Sequence, residues 1–409
     1  MEQEKIKEID KKYGTPFYVF DVDLFENNYR ELYEAYSSVY SDFQIAYSFK
    51  TNYMPAACKR VKKLGGWAEV VSDMEYDMAR LYGFAAKNII VNGPGKWGGI
   101  EKMILDGALL MLDNENELKK VVEICEKHHI RANIGFRLNI DIGTNRISRF
   151  GFDVTSTYTK TIIDEAKKNS YLNIIGIHFH LGGARGLEAW ANRAKKMLYY
   201  KDEYFGDNDL EIIDLGSGMF GHLHDSLASQ FNQYIPSFSE YAMVVAGEFE
   251  RYYSNKLQNK RPLLVVEPGA TIIANTMKYV TKVIAVKEIR GRNIAIVDGS
   301  VHQLGELGKK KKLPMEVISS GNQGKKRLSN VDVAGYTCLE DDILIHSAND
   351  MIGDNDLICI ENAGAYTNVM KPPFIQVGCK IIEIDKDSKL KLIKRQETVK
   401  DILSSYVVE

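Results

Sequence analysis

Residues 67–93, WAEVVSDMEYDMARLYGFAAKNIIVNG, decide how the rest of the chain is read. WAEVVS (67–72) is a short β-rich run, SDMEYDMARLYG (72–83) has helical character, and IIVNG (89–93) is β-rich again. Ser72 is a candidate N-cap with Glu75 three residues on, a capping-box pattern, and Gly83 closes the helix. A strand, a helix and a second strand within 27 residues make a βαβ unit.

Outward from it the same alternation runs from about residue 44 to residue 269. Further strands are expected at QIAYSFK (44–50), LLMLDN (109–114), ANIGFRLN (132–139), IIGIHFHLG (174–182), IIDLGSG (212–218) and LLVVEPG (263–269). ELKKVVEICEKHH (117–129) spaces Leu118, Val121, Val122 and Cys125 as one helical face. Eight β units, each followed by helical or helix-length sequence, predict a parallel (β/α)8 barrel. A doubly wound open sheet is the competing reading; it ranks lower because no G-x-G-x-x-G follows the first strand.

The pattern changes after residue 273. KYVTKVIAVKEI (278–289), NIAIVD (293–298), DLICIE (356–361), CKIIEI (379–384) and KLKLIK (389–394) are short and alternating, which predicts an antiparallel β-domain. TPFYVFD (15–21) is strand-like and precedes the barrel, so it is placed in that second sheet. The expected domains are a barrel over 26–273 and a β-domain made of 1–25 and 274–409. GNQGKKRLSN (321–330) reads as a loop.

Composition narrows the function classes. Of 409 residues, 45% are hydrophobic and 26% charged, enough to build a core. Lys+Arg 53 against Asp+Glu 55 leaves a formal charge of −2, without the basic excess of a dedicated nucleic-acid binder. No apolar run approaches the ~20 residues that span a bilayer, and MEQEKIKEIDKKYG at the start lacks a signal-peptide core. Cys58, Cys125, Cys338, Cys359 and Cys379 are scattered, with no C-x-x-C, so reduced thiols in a cytoplasmic protein and no metal centre are expected.

In a barrel of this class the reactive groups project from the C-terminal strand ends. Those ends read Lys50, Glu69, Asn92–Gly93, Asp113, Arg137, His180, Gly216–Gly218 and Glu267. Each alone has a plain reading as a solvated strand terminus; gathered on one face they have a chemical logic. A lysine can form a Schiff base with an aldehyde, a glycine-rich turn can present N–H groups to a phosphate, and a carboxylate can hold a pyridinium protonated. That set describes a site for pyridoxal 5'-phosphate.

With those residues in view, the chain resembles the fold-type III pyridoxal-phosphate decarboxylases, which include the diaminopimelate and eukaryotic-type ornithine decarboxylases. The resemblance spans about residues 13–378 through ordered motifs. AYSFKTN (46–52) is similar to Y-x-x-K-A-N, which implies that Lys50 bonds the cofactor aldehyde. AEVVS (68–72) places Glu69 where the family keeps an acidic residue, and FRLN (136–139) supplies Arg137. HFHLGG (178–183) resembles H-x-G-S and implies His180 against the cofactor ring, leaving His178 as a core histidine. DLGSGMFG (214–221) resembles the phosphate loop, with Gly216, Ser217 and Gly218 standing for its three glycines. VEPG (266–269) implies Glu267 at the pyridine nitrogen. GYTCLEDD (335–342) resembles G-P-x-C, which implies that Cys338 is donated from a partner subunit and returns the proton to Cα, with Leu339 and Glu340 beside the substrate. AGAYT (363–367) implies Tyr366 at the phosphate. The implied fold is a barrel of the alanine-racemase type plus the β-domain, and the implied assembly is a homodimer with shared active sites.

Three departures bear on substrate. Ala270 follows EPG where the family has arginine. Leu339 follows Cys338 where the family has a carboxylate, although Glu340, Asp341 and Asp342 are close enough for a register shift to restore one. VHQLGELGKKKKLP (301–314) lacks the R-P-x-L-Y group that takes the distal carboxylate of diaminopimelate. A buried charge left without its partner costs ~3–5 kcal/mol, so the expected substrate is an amino acid whose side chain is neutral or conjugated, for example to a carrier protein. Diaminopimelate decarboxylation proper, racemisation and a non-catalytic regulator remain the alternatives. GHLHD (221–225), KKKK (309–312) and NGPGKWGG (92–99) are read as solvated loop, solvated charge run and barrel loop.

Overall fold

The computed structural model describes residues 3–144, 146–206, 210–254, 261–321, 327–370 and 373–407. It divides into two compact units: Glu26–Gly221 with Gln233–Thr271, and Met1–Phe25 with His222–Asn232 and Ile272–Glu409. Residues 222–232, which the sequence reading left inside the barrel span, therefore group with the β unit.

The first unit is a closed barrel. Strands Phe43–Ser48, Trp67–Ser72, Ile89–Gly95, Leu109–Leu112, Ala132–Asn139, Leu172–His178, Ile212–Asp214 and Leu263–Val266 pair in parallel, each with the next, and the last returns to the first. Its interior is packed by Ala46, Ile90, Leu109, Met111, Ile175, Ile212 and Val265. Gly135 and Gly176 leave room for Met111: a Cβ built on Gly135 would stand 2.4 Å from the Met111 sulfur.

Several strands stop sooner than their apolar runs suggest. The ladder ends at Ser48, His178, Asp214 and Val266, and the motif residues beyond lie on turns. Phe49–Thr51 is one turn of 3₁₀ helix. Ser48 N–H donates to the Pro268 carbonyl at 3.2 Å, and Glu267 N–H donates to the Gly216 carbonyl at 2.9 Å. The backbone bonds of the strand tips are thus exchanged between three loops, which sets those loops side by side.

The helices follow their caps. Asp73–Leu81 begins on Ser72, whose hydroxyl accepts from Glu75 N–H at 3.2 Å. The Glu75 carboxylate does not close the box on Ser72; it accepts from Val71 N–H at 2.9 Å instead. Gly83 follows with φ +87°. The helix expected over 117–129 runs Glu115–His128, starting from an Asn114 cap.

The second unit is built on the 13-residue strand Met277–Ile289. Along its length it pairs antiparallel with Phe17–Asp21, Leu357–Ile360 and Arg292–Val297. The N-terminal strand also pairs with Lys380–Ile384, in parallel, and Arg292–Val297 pairs in parallel with Val331–Ala334, so two ladders depart from the antiparallel rule. Ile6 and Ile9, from the helix Gln3–Tyr13, are buried in its core with Phe17, Val19, Val280 and Ile382. Of the loop expected over 321–330, residues 322–326 lie outside those described, and Arg327–Leu328 forms a two-residue strand with Ile352–Gly353.

Candidate active site

Parallel register brings the polar residues of the barrel to one level. Ser48 lies opposite Glu69, Arg137 opposite His178, and His178 opposite Asp214. A cavity of about 390 Å³ opens there, lined by Lys50, Glu69, Asn92, Arg137, His178, His180 and Glu267, and by the 93–95 turn.

Lys50, on the 3₁₀ turn, is one-third exposed and donates to the Glu69 carboxylate, which is buried and also accepts from Ser48 Oγ at 2.6 Å. Across the cavity, Glu267 accepts from Asn92 Nδ2 on one oxygen and lies 3.4 Å from His178 Nε2 on the other. Asp214 is wholly buried beside it. Burial, then the neighbouring Glu267 carboxylate, pushes Asp214 well above the usual carboxylate range. One ligand atom each of His178, Asp214 and Glu267 falls within 4.8 Å of the others, the only such grouping of three among the described residues.

His180 is held differently. Its Nδ1 accepts from Ser217 N–H at 3.0 Å, so the ring is neutral with its proton on Nε2. Burial, then Lys50, drives its pKa well below the ordinary histidine value. His178 is shifted the same way by burial and then Arg137. Arg137 is itself lowered by burial, with Asp113 at 3.9 Å opposing, and its guanidinium lies 4.6 Å over the Phe150 ring.

The 214–221 segment is a stiff turn. Gly216 has φ +66°, and a Cβ there would sit 2.7 Å from the His180 Cβ, so both the conformation and the close approach require glycine. Gly216 N–H is taken by Asp214 Oδ1 at 2.8 Å. Arg193, fully buried on the helix Leu187–Phe205, donates to the carbonyls of Leu215 at 2.7 Å, Ser217 at 2.9 Å and Leu181 at 3.3 Å. Its guanidinium also lies 4.0 Å from the Trp190 ring. Thr271 Oγ donates to the Met219 carbonyl and Tyr241 OH accepts from Phe220 N–H.

The structure therefore gathers Lys50, Glu69, Arg137, His180, Glu267 and the Gly216–Ser217–Gly218 turn in one unit. Cys338, Leu339, Glu340 and Tyr366 belong to the other unit. The first three form an exposed bend, and Tyr366 is half-buried with φ +58°. Of the three carboxylates named for a register shift, Asp342 is withdrawn, while Glu340 and Asp341 are exposed. Asp342 is buried and accepts from Ser300 Oγ, Val301 N–H and Thr337 N–H, so its carboxylate is committed to shaping the bend. His178 is a second correction: it lines the cavity instead of filling the core. Asn92, Asp214 and Arg193 were given no role by sequence. Asn92 was counted among the strand ends without a role, and Asp214 stood at a strand end and could have been counted; Arg193 lies mid-helix with no motif to mark it.

These positions can be tested against a pyridoxal group on their own chemistry. An ammonium beside a carboxylate suits an aldehyde, a buried carboxylate pair suits a ring N–H⁺, and a turn that passes through Gly218 at φ +117° suits a close-lying phosphate. The donor set fits.

Comparison with known proteins agrees. Residues 26–274 match the family described as pyridoxal-dependent decarboxylase, pyridoxal binding domain. The chain belongs to that family. The L-glutamyl-[BtrI acyl-carrier protein] decarboxylase of Niallia circulans is 27% identical, with 100% of this chain and 97% of that protein aligned. The diaminopimelate decarboxylase of Methanocaldococcus jannaschii is 24% identical over 98% and 93% of the two chains. The crystal structure of the latter enzyme superposes with a TM-score of 0.86, covering 98% and 94% at 23% identity. The protein is accordingly a pyridoxal-dependent amino-acid decarboxylase with the barrel-plus-sheet fold of those enzymes. No described helix is long and apolar enough to cross a membrane.

Proposed function

We propose that the chain removes the α-carboxylate of an amino acid tethered through its other end to a carrier, using pyridoxal 5'-phosphate held in the barrel cavity. The observation that carries the decarboxylase reading is the gathering of Lys50–Glu69 and Asn92–Glu267–His178 around one 390 Å³ space. Two further observations support the tethered substrate. The carrier-linked glutamyl decarboxylase aligns with the whole chain, and Asp342, one of the carboxylates that could answer a distal amine, is spent on backbone groups.

The cofactor, when bound, supplies an electron sink for the pair left at Cα as CO2 departs. Lys50 would hold its aldehyde carbon, and Glu69 would keep the Lys50 amine oriented and charge-balanced. Glu267, held by Asn92 and flanked by His178, would hold the ring N–H. His180, kept neutral and fixed by Ser217 N–H, would lie against the ring as a flat, uncharged wall. Gly216 and Ser217 spend their N–H groups on Asp214 and His180, so the phosphate would fall to the turn from Gly218 onward. Arg137 would present a cation at the cavity wall for a substrate carboxylate. Cys338 of a second copy would return a proton to Cα, with Leu339 and Glu340 beside the substrate.

The test is CO2 release with pyridoxal phosphate supplied, comparing glutamate linked to a carrier with free meso-diaminopimelate and free lysine. The expected result is turnover of the tethered amino acid; rapid turnover of a free diamino acid alone would overturn the substrate assignment. Mixing Lys50→Ala with Cys338→Ala protein tests the shared site. Randomly re-formed dimers should recover about a quarter of native activity, since half are hybrid and each hybrid has one intact site. No recovery would place Cys338 outside a shared site.

A further inference from the structure

In the second unit, a cavity of about 530 Å³ is lined by Lys309, Lys310, Lys311 and Lys312 together with His302 and His346. Lys309, Lys310 and Lys312 are exposed, as expected of a solvated run, and the segment is also held in place. Gln230 clamps the segment from both sides: its Nε2 donates to the Lys312 carbonyl at 2.7 Å and its Oε1 accepts from Lys312 N–H at 2.9 Å. Lys311 Nζ donates to the Gln230 carbonyl and lies 4.8 Å from the Phe231 ring. Lys312 Nζ reaches the Ser347 carbonyl at 3.3 Å. Lys309 and Lys310 approach Glu306 at 3.8 and 3.3 Å, with side chains 45% and 70% exposed.

Two of the four ammonium groups are thus anchored on neutral oxygens. Among the described residues, neither Lys311 nor Lys312 forms an ion pair with a carboxylate, and Asp341 is the one acidic residue in the lining. Lys311 and Lys312 thus bring two positive charges without a carboxylate partner to the lining, which an anion entering the cavity would balance. The chain as a whole carries a formal charge of only −2, so the basic density is local and concave. That shape suits a compact anionic group better than the extended groove of a nucleic acid.

We infer that the Lys309–Lys312 cavity is the docking site for an acidic carrier protein, taking its surface carboxylates and the phosphodiester at the root of the arm that bears the amino acid. This rests on the tethered-substrate reading above and names how that substrate is recognised. Recognition through an exposed basic patch governs encounter and is screened by salt, leaving the chemistry in the barrel untouched.

The experiment measures binding and turnover separately, using as probe the glutamyl-loaded acyl-carrier protein of the Niallia circulans relative. Fluorescence anisotropy of the labelled carrier is read against native holoenzyme, K310E/K312E and K310R/K312R at several salt concentrations. The expected result is a carrier affinity that falls steeply with salt, drops about tenfold or more on charge reversal and stays near native with arginine. CO2 release is followed in parallel for the carrier-bound substrate and for glutamyl-pantetheine, and the ratio of their kcat/KM values should fall with the affinity. No carrier binding by the native enzyme, or equal binding by the reversed variant, overturns the docking site. Lysine-dependent binding without CO2 release overturns the tethered-substrate reading while docking stands; CO2 release indifferent to charge reversal does the opposite.

Discussion

Arg193→Met gives the sharpest prediction outside the cavity itself. Methionine keeps the unbranched apolar stem of the side chain while deleting the guanidinium and its contact with the Trp190 ring. Lost are hydrogen bonds of 2.7, 2.9 and 3.3 Å to Leu215, Ser217 and Leu181. Bonds from a charged donor are worth ~1.5–3 kcal/mol each, the longest least. Against this, Arg193 is a buried cation with no carboxylate contact among the described residues, and burial pulls its pKa down to about 10, a penalty of roughly 3 kcal/mol that the substitution removes. The terms partly cancel: roughly 4.5–9 kcal/mol of lost bonds less about 3 leaves a net global loss of ~1.5–6 kcal/mol, or several degrees or more in Tm. The local effect is not offset, because the 214–221 turn loses two of its anchors. Titrating the apoprotein with pyridoxal phosphate by absorbance, beside a thermal melt, separates the two effects. The expectation is an affinity at least about tenfold weaker, ~1.4 kcal/mol, alongside that fall in Tm, and Arg193→Lys falling between. An affinity equal to native, at any Tm, would refute the claim that Arg193 holds the turn in its binding shape.

Three further outcomes follow from buried charge. Burial pushes the Glu75 carboxyl, 4% exposed, up to about 7; a raised carboxyl favours the folded state at low pH and loses that advantage as pH rises from about 4.5 through 7. Glu75→Gln should therefore raise Tm at pH 8 and not at pH 4, by an amount on the order of 2–3 kcal/mol; a pH-independent change would contradict it. Lys96 and Glu117 form a fully buried pair at 2.8 Å beneath the 93–95 turn, with Lys96 also donating to the Gly93 carbonyl. Lys96→Met alone should cost ~3–5 kcal/mol in urea unfolding, and Lys96→Met with Glu117→Leu substantially less; additive losses would mean that the pair is not coupled. Glu267→Gln should lower CO2 release roughly 10- to 150-fold through a lost charge-assisted bond of ~1.5–3 kcal/mol, and a native rate would remove Glu267 from the mechanism.

Most of the barrel was legible because its strands are short apolar runs bounded by cap and turn residues, and WAEVVS and ANIGFRLN match the observed strands residue for residue. Where the sequence overran, at 174–182 and 212–218, the extra residues are mostly apolar or glycine, with His180 and Ser217 among them, and they make their bonds between loops, a tertiary choice that periodicity does not carry. Residues 222–232 group with the β unit for the same reason: their partners, such as Lys311 and Lys312 for Gln230, lie some 80 positions away. The cavity residues on motifs could be read because each stands at a strand end. Arg193 could not, since a helical arginine looks solvated until its three carbonyl partners are seen. His178 was misplaced although alternation along HFHLGG puts it on the same side as His180; the parallel register with Arg137 and Asp214 sets it at the level of the cavity.

The most direct test is to reduce the pyridoxal-phosphate-loaded protein with borohydride and locate the label by peptide mass spectrometry. A single phosphopyridoxyl group on Lys50, with the visible absorbance lost on reduction and absent from Lys50→Ala, is the result expected of the barrel site described above. A label on another lysine, or none on a protein that still releases CO2, would contradict it.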